Sequence, residues 1–359
     1  MNQHRNTLSI DLAALKRNFL SLENLSQPSQ VMPVLKANAY GLGAKRIATE
    51  LKNSGATIIA VADLNEALEL RDLDLDILIL GDIIPEEIPL AIRNNFILPI
   101  GSIESAKLIS THAKNRSVFC HLVLDTGMGR LGIPIDKALE EFAQIAAFEN
   151  LHFDGVYSHF AVAYGDRGFS LQQVDKFKDF LTQCNYNFNR IHLANSDGIH
   201  NIPEACQAPF NLVRTGLNLY GCFDLEGQQR ICLDPVLSLE SRLIRVRELE
   251  AGTSIGYGRE CILTKKTLVG TVAIGYADGF PFNSQAYIIH KGQQCPLLGR
   301  ISMDYITVDL SLSPEAKSGD SVLCLGKELP IAQWAKWKAT ITYEIICSLG
   351  QRIKRIYKQ

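Results

Sequence analysis

Between residues 31 and 217 short apolar runs alternate with longer amphipathic segments, and this alternation limits the possible folds more than any other feature of the chain. A short, continuously apolar run is a strand buried on both faces. Such strands separated by helices repeat as parallel βα units. Eight strands are read at 31–36, 57–61, 77–80, 97–100, 118–124, 153–157, 190–193 and 212–214. Helices are expected at 44–53, 64–71, 103–114, 136–148 and 171–183, where apolar residues recur at three- and four-residue spacing. Eight units of this kind predict a (β/α)8 TIM-type barrel, and no G-x-G-x-x-G follows a strand to favour a dinucleotide fold.

The chain has 359 residues, whereas a single core stops growing near about 250–300. After about residue 230 the texture changes to short runs punctuated by glycine, as in TLVGTVAIGYADGF and RISMDYITVDL. The expected organisation is therefore an α/β barrel over 1–230 and a mainly β C-terminal domain over 231–359, with the first few residues pairing with the latter. A net charge of -2 with 21% charged residues gives no basic excess for nucleic acid. No segment has the roughly 18 apolar residues of a membrane span, and MNQHRNTLSIDLAALKRNF lacks the apolar core of a signal peptide. The nine cysteines form no C-x-x-C pair and have no histidine at zinc spacing, so no metal is expected and a reducing, cytoplasmic setting is.

Barrels of this type carry their chemistry at the C-terminal ends of the strands. There the sequence delivers Lys36 after strand 1, Arg130 after strand 5, His159 after strand 6, Asn195 and Ser196 after strand 7, and Arg214 at strand 8. Alone, Lys36 is either a solvated strand end or an amine able to hold an aldehyde cofactor as a Schiff base. Five strands aiming polar groups at one rim favour the second reading. Ser196 and the stretch Thr215, Gly216, Leu217 lie where barrels hold phosphate, and Tyr40 can add a hydroxyl.

In order along the chain, VLKANAYGLG, HLVLDTGMGRLG, SHFA, HLANS, VRTGLNLYG, GYGRE, AIGYADG and GRISMD closely resemble the bacterial alanine racemases, pyridoxal-phosphate enzymes of fold type III. The likeness runs from about residue 8 to the C-terminus. It implies that Lys36 holds pyridoxal 5'-phosphate and is one of two catalytic bases, the other being Tyr257. It also implies cofactor contacts from Tyr40, His159, Asn195, Ser196, Arg214, Gly216 and Leu217, and substrate contacts from Arg130, Met303, Asp304 and Tyr276. Racemisation removes a proton from one face of Cα and returns one to the other, so two bases must flank that carbon. The family's solution is a homodimer in which Tyr257 and Met303 cross the interface. The expected activity is interconversion of L- and D-alanine for peptidoglycan synthesis, with no nucleic-acid or membrane partner. The alternatives are a racemase of broader specificity, acting on serine or others, and a non-catalytic pyridoxal-phosphate-binding protein. One departure is Val123, where many members carry a carbamylated lysine whose charge orients the arginine equivalent to Arg130. Gln351 and Lys354 also depart from the usual C-terminal motif.

Overall fold

The computed structural model describes residues 4–224 and 227–359. They form two compact units. One spans Lys16–Leu219 with a short stretch ending at Leu233. The other takes the segment up to Leu15, a link beginning at Tyr220, and Asp234–Gln359.

The first unit is the barrel. Its strands are Gln30–Pro33, Ile58–Val61, Asp76–Ile79, Leu98–Ile100, Val118–Asp125, Leu151–Tyr157, Arg190–His192 and Leu212–Thr215, numbered 1 to 8 below. Strands 4, 5, 6, 7, 8 and 1 pair in parallel in that order, the eighth meeting the first from Leu212↔Gln30 to Thr215↔Pro33. Strands 2 and 3 form their own parallel ladder. The bridges Val34↔Ala60 and Leu78↔Ile97 join that ladder to strands 1 and 4 and close the ring. Met32, Val34, Ile58, Ala60, Leu78, Ile97 and Leu212 pack together, buried by the two-residue alternation of these strands. The helix Ala44–Asn53 falls where the periodicity puts it. Ile88–Arg93 is an additional helix between strands 3 and 4, too short for its apolar spacing to stand out and carrying Pro89 in its first turn.

Strand 6 departs from a regular ladder. Its pairing with strand 5 shifts between Cys120 and His121, a bulge that leaves Asp154 without a Cα partner. A Cβ on Gly155 would stand 2.5 Å from His121 Nε2, so only glycine leaves room for the buried His121 ring.

The second unit is built on the long strand Leu237–Leu249, which pairs antiparallel with Thr7–Asp11, Thr267–Val272 and Ser321–Leu325. Lys354–Lys358 adds in parallel to the other side of Thr7–Asp11. Tyr287–His290 and Gln293–Pro296 form a hairpin closed by Lys291 and Gly292, both at positive φ. The helices Ile331–Lys338 and Thr342–Cys347 complete this mainly β unit, and Trp334 donates its indole N–H to Cys324 O at 2.9 Å. The nine cysteines are thiols, none of them joined in a disulfide. Among the described residues no helix is long and apolar enough to cross a membrane.

Candidate active site

Lys36 does not close strand 1, contrary to the sequence reading. The ladder ends at Pro33, the bridge at Val34 follows, and Leu35 donates to Ala60 O at 2.8 Å. From there Ala37, Asn38, Ala39 and Tyr40 take φ values of 52 to 58°, four consecutive left-handed residues. Each non-glycine residue in that region costs roughly 1–2 kcal/mol, so the turn persists only because its surroundings dictate it. Glu66 supplies much of that constraint. One carboxylate oxygen accepts from Ala37 N–H at 2.5 Å and the other from Ala62 N–H at 2.8 Å. Asn38 Oδ1 accepts from Ala44 N–H at 2.7 Å, at the start of the next helix. The turn leaves Lys36 exposed while burying Tyr40.

The turn brings Tyr40 against the loop after strand 8. A Cβ on Gly216 would lie 2.0 Å from the Tyr40 hydroxyl, so glycine is obligatory there. Gly216 N–H donates to Ser196 Oγ at 3.2 Å, and Ser196 Oγ also meets Thr215 Oγ1 at 3.2 Å. Asn195 caps the short helix Ser196–Asn201, its Oδ1 accepting from Gly198 N–H. Leu217 is buried. Hydroxyls and backbone N–H groups thus converge at the end of strands 7 and 8, where an anion is bound most readily.

Arg214 is 3% exposed, yet no carboxylate pairs with it among the described residues. Its Nη1 donates to His192 Nδ1 at 2.6 Å and to His192 O at 3.3 Å. Its Nη2 donates to Ser158 O at 2.7 Å, Leu193 O at 3.2 Å and His159 Nδ1 at 3.1 Å. The guanidinium also lies 5.3 Å from the Tyr157 ring centroid, and His192 stacks on that ring at 4.9 Å. Burial lowers Arg214 only to about 10, so it stays charged at neutral pH. Among the described residues the Nε–H has no acceptor.

A guanidinium only donates, and this fixes the tautomers behind it. His192 accepts at Nδ1, so its Nε2–H donates to His121 Nδ1 at 3.0 Å. His121 Nε2–H then faces Asp154 Oδ2 at 3.9 Å, an electrostatic contact too long for a hydrogen bond. Asp154 is paired with Arg190 at 3.1 Å, and Arg190 also with Asp76. Burial first, then the neighbouring cations, push His192 well below its ordinary range, and burial likewise lowers His121. His159 falls to about 3, through burial and then the charges of Arg214, Arg130 and Lys36, which lie close enough to act on it. All three histidines are therefore neutral. Sequence reasoning found His159 and Arg214 but not Tyr157, His192, His121, Asp154 or Glu66. The available signal was a histidine within each of two barrel strands, FCHLVL and RIHL, flanked there by apolar residues.

Arg130 follows a tight turn in which Asp125 collects the N–H groups of Gly127, Met128 and Gly129 at 2.8 to 3.1 Å. Arg130 is exposed, and among the described residues its side chain has no ion-pair partner. Val123 is buried.

The remaining predicted residues lie in the second unit. Tyr257 is 69% exposed, on a short turn after Gly256 at φ 70°. The chain around it packs on GRISMD, since a Cβ on Gly299 would come within 2.6 Å of Ile255 O. Tyr276 and Met303 are also largely exposed, and their segments are zipped together by Tyr276 N–H to Ser302 O and Ala277 N–H to Met303 O, at 3.2 and 3.1 Å. Asp304 is ion-paired with Arg352 at 2.7 Å.

Known proteins match over almost the whole chain. Family models for the alanine racemase N-terminal and C-terminal domains match residues 10–224 and 236–357. The alanine racemase of Desulforamulus reducens is 35% identical over 363 residues, covering 97% of each chain. That of Staphylococcus carnosus is 34% identical over 370 residues, covering 98% of this chain and 94% of its own. Among solved structures, alanine racemase of Clostridium difficile 630 superposes with a TM-score of 0.93 at 30% identity, covering 100% of this chain and 97% of that one. Alanine racemase from Bartonella henselae, solved with covalently bound pyridoxal phosphate, gives 0.90 at 30% identity and covers 99% of each chain. With both family models matched in order and relatives this similar along nearly its full length, the chain belongs to the alanine racemase family.

Proposed function

We propose that this chain interconverts L- and D-alanine with pyridoxal 5'-phosphate bound at the barrel rim, supplying D-alanine for peptidoglycan in the cytoplasm. The observation that carries the reading is Arg214: a buried, charged, donor-only group with neutral partners and one N–H left open. The surrounding residues fit the cofactor. Gly216 admits no side chain, Ser196 offers a hydroxyl, and Lys36 presents its amine from a turn built around Tyr40. In this reading Ser196, Gly216, Leu217 and Tyr40 hold the phosphate with Asn195 shaping the helix start, Arg214 holds the ring nitrogen, and Lys36 anchors the aldehyde.

When bound, pyridoxal phosphate draws electrons from Cα of the amino acid and so acidifies its Cα–H. Lys36 moves the proton on one face and Tyr257 on the other. Arg214 cannot give up its own proton, so it leaves the ring nitrogen unprotonated. A donor that keeps its own proton would temper that electron withdrawal and favour return of the proton to Cα over transamination. His159 is neutral and held by Arg214, which fits it to link the tyrosine's phenol to that guanidinium. Arg130 and the Met303 N–H grip the substrate carboxylate, with Asp304 and Tyr276 beside them. In this reading the barrel unit carries the cofactor and the mainly β unit the second base. Two bases on opposite faces are met by a homodimer in which a second copy supplies Tyr257 and Met303.

The test is racemisation of alanine, serine, lysine and arginine, in both directions, by wild type and Tyr257→Phe. Loss of one general base lowers alanine turnover about 10²–10⁴-fold, while the cofactor's visible absorbance stays. Unimpaired rates in Tyr257→Phe would overturn the two-base assignment, and wild-type preference for a larger amino acid would overturn the substrate.

A further inference from the structure

We propose that Arg352 is a positioning residue for substrate binding: it clamps the turn at 302–305 so that the Met303 N–H is held ready for the substrate carboxylate. This rests on the reading that Met303 grips that carboxylate. Nothing in the sequence marked Arg352, which lies between the two C-terminal positions that depart from the family motif.

The clamp has three jaws. Arg352 Nε and Nη2 donate in parallel to the two oxygens of Asp278, at 2.7 and 2.9 Å. Nη1 donates to Asp304 at 2.7 Å, and Nη2 reaches Met303 O at 3.5 Å. Asp278 is fully buried, and its Oδ2 also accepts from Gly275 N–H at 3.0 Å. One guanidinium therefore ties together the segments at 275–279, 302–305 and 350–352.

Backbone packing shows how close these segments lie. A Cβ on Gly275 would stand 2.3 Å from Met303 O, and one on Gly350 would stand 2.7 Å from Ala277 O. Gly350 N–H donates to Asp278 O at 3.2 Å. Within the turn, Ser302 N–H donates to Tyr305 O at 3.0 Å and Ser302 Oγ to the same carbonyl at 2.8 Å. The Met303 carbonyl is thus fixed on one side by Ala277 N–H and Arg352. Among the described residues the Met303 N–H has no acceptor. Fixing the carbonyls on either side of that N–H sets its direction without using it. The loop's rigidity is then a matter of binding geometry, since a fork with fixed donors holds two carboxylates and a carbonyl where a single ammonium cannot.

The experiment uses the holoenzyme and the variants Arg352→Lys, Asp304→Asn, their double, and Met303→Pro, which removes the N–H in question. It reads KM and kcat for both enantiomers, the visible absorbance of the bound cofactor, and amide hydrogen exchange of the 302–305 turn. Arg352→Lys is expected to raise KM about tenfold with kcat changed by less than about threefold, as loss of uniform binding requires. Absorbance stays and exchange of the turn quickens. Asp304→Asn moves KM and exchange the same way, by about threefold, and the double variant adds little to Arg352→Lys because both act through one clamp. A double variant whose KM effects multiply would show that Asp304 acts apart from Arg352 and overturn the clamp. If Met303→Pro raises KM while Arg352→Lys and Asp304→Asn leave it within about twofold, the clamp is wrong and the Met303 reading stands. If Met303→Pro leaves KM unchanged, the Met303 reading fails and takes the inference with it. Should Arg352→Lys lose its cofactor, Asp304→Asn decides: slower exchange or an unchanged KM overturns the proposal.

Discussion

A glycine with no visible turn to make can still be indispensable, as Gly155 is in the middle of strand 6. Its missing Cβ is filled by the His121 ring, which in turn accepts from His192 and so reaches Arg214. Gly155→Ala is therefore an overpacking substitution in a rigid strand, expected to cost about 1–3 kcal/mol. Urea unfolding measures this, and a loss below about 0.5 kcal/mol would mean that His121 moves aside freely. The same substitution should loosen Arg214, whose side-chain partners are histidines and not carboxylates. The two glycines differ in how legible they were. Gly216 stands in VRTG at the end of a strand, where barrels bind phosphate, so the sequence alone marks the position. Gly155 stood in FDGVY with no local sign, because its neighbour is His121, 34 positions away and brought close only by the bulge.

At the scale of the element, the sequence located eight strands and most helices because burial imposes a period, and the ladder ends differ by only a few residues. It did not reveal the turn that carries Lys36. Lys, Ala, Asn, Ala and Tyr have no shared preference for left-handed backbone, so the turn is dictated by Glu66, Asn38 and buried Tyr40 against their local tendency. This gives a prediction of unusual sign. Ala37 is exposed at φ 52°, and its N–H bond to Glu66 survives replacement by glycine. Ala37→Gly removes roughly 1–2 kcal/mol of left-handed strain and costs about 0.5–1 kcal/mol in unfolded-chain entropy. The net is a gain of up to about 1.5 kcal/mol, opposite to a glycine inside a right-handed helix. Denaturant midpoints at equal slopes provide the measurement, and a destabilised variant would show that the turn holds no strain. Activity should fall even as stability rises, because the same rigidity aims Lys36.

For the molecule as a whole, the histidine pairing links the Arg214 end of the barrel to stability against acid. His121, His192 and His159 are buried neutral, so their folded pKa values lie below the unfolded value near 6.5. His200 follows the same pattern, lowered to about 4 by burial and by Arg230. Below 6.5 the unfolded chain binds protons that the folded chain refuses, so stability is complete above that pH and declines as pH falls. The decline continues to about 3, where His159 titrates in the fold. Each histidine protonated only on unfolding contributes about 1.4 kcal/mol per pH unit within its window. Asp154, whose pKa is held down to about 2, first by His121, adds a second loss between 3.8 and that value. Urea unfolding of the cofactor-free protein should show a stability plateau from pH 8 to about 6.5 and a steepening fall below it. Equal stability at pH 7.5 and 5 would contradict the neutral assignment. The consequence for function follows from donor order. His192 accepts from Arg214 only while its Nδ1 is free of a proton, so acid removes the arginine's partner by the same event that unfolds the barrel. Acid inactivation should therefore track unfolding rather than precede it, whereas a variant that frees His192 to protonate in the fold should lose activity at a pH where the barrel is still intact.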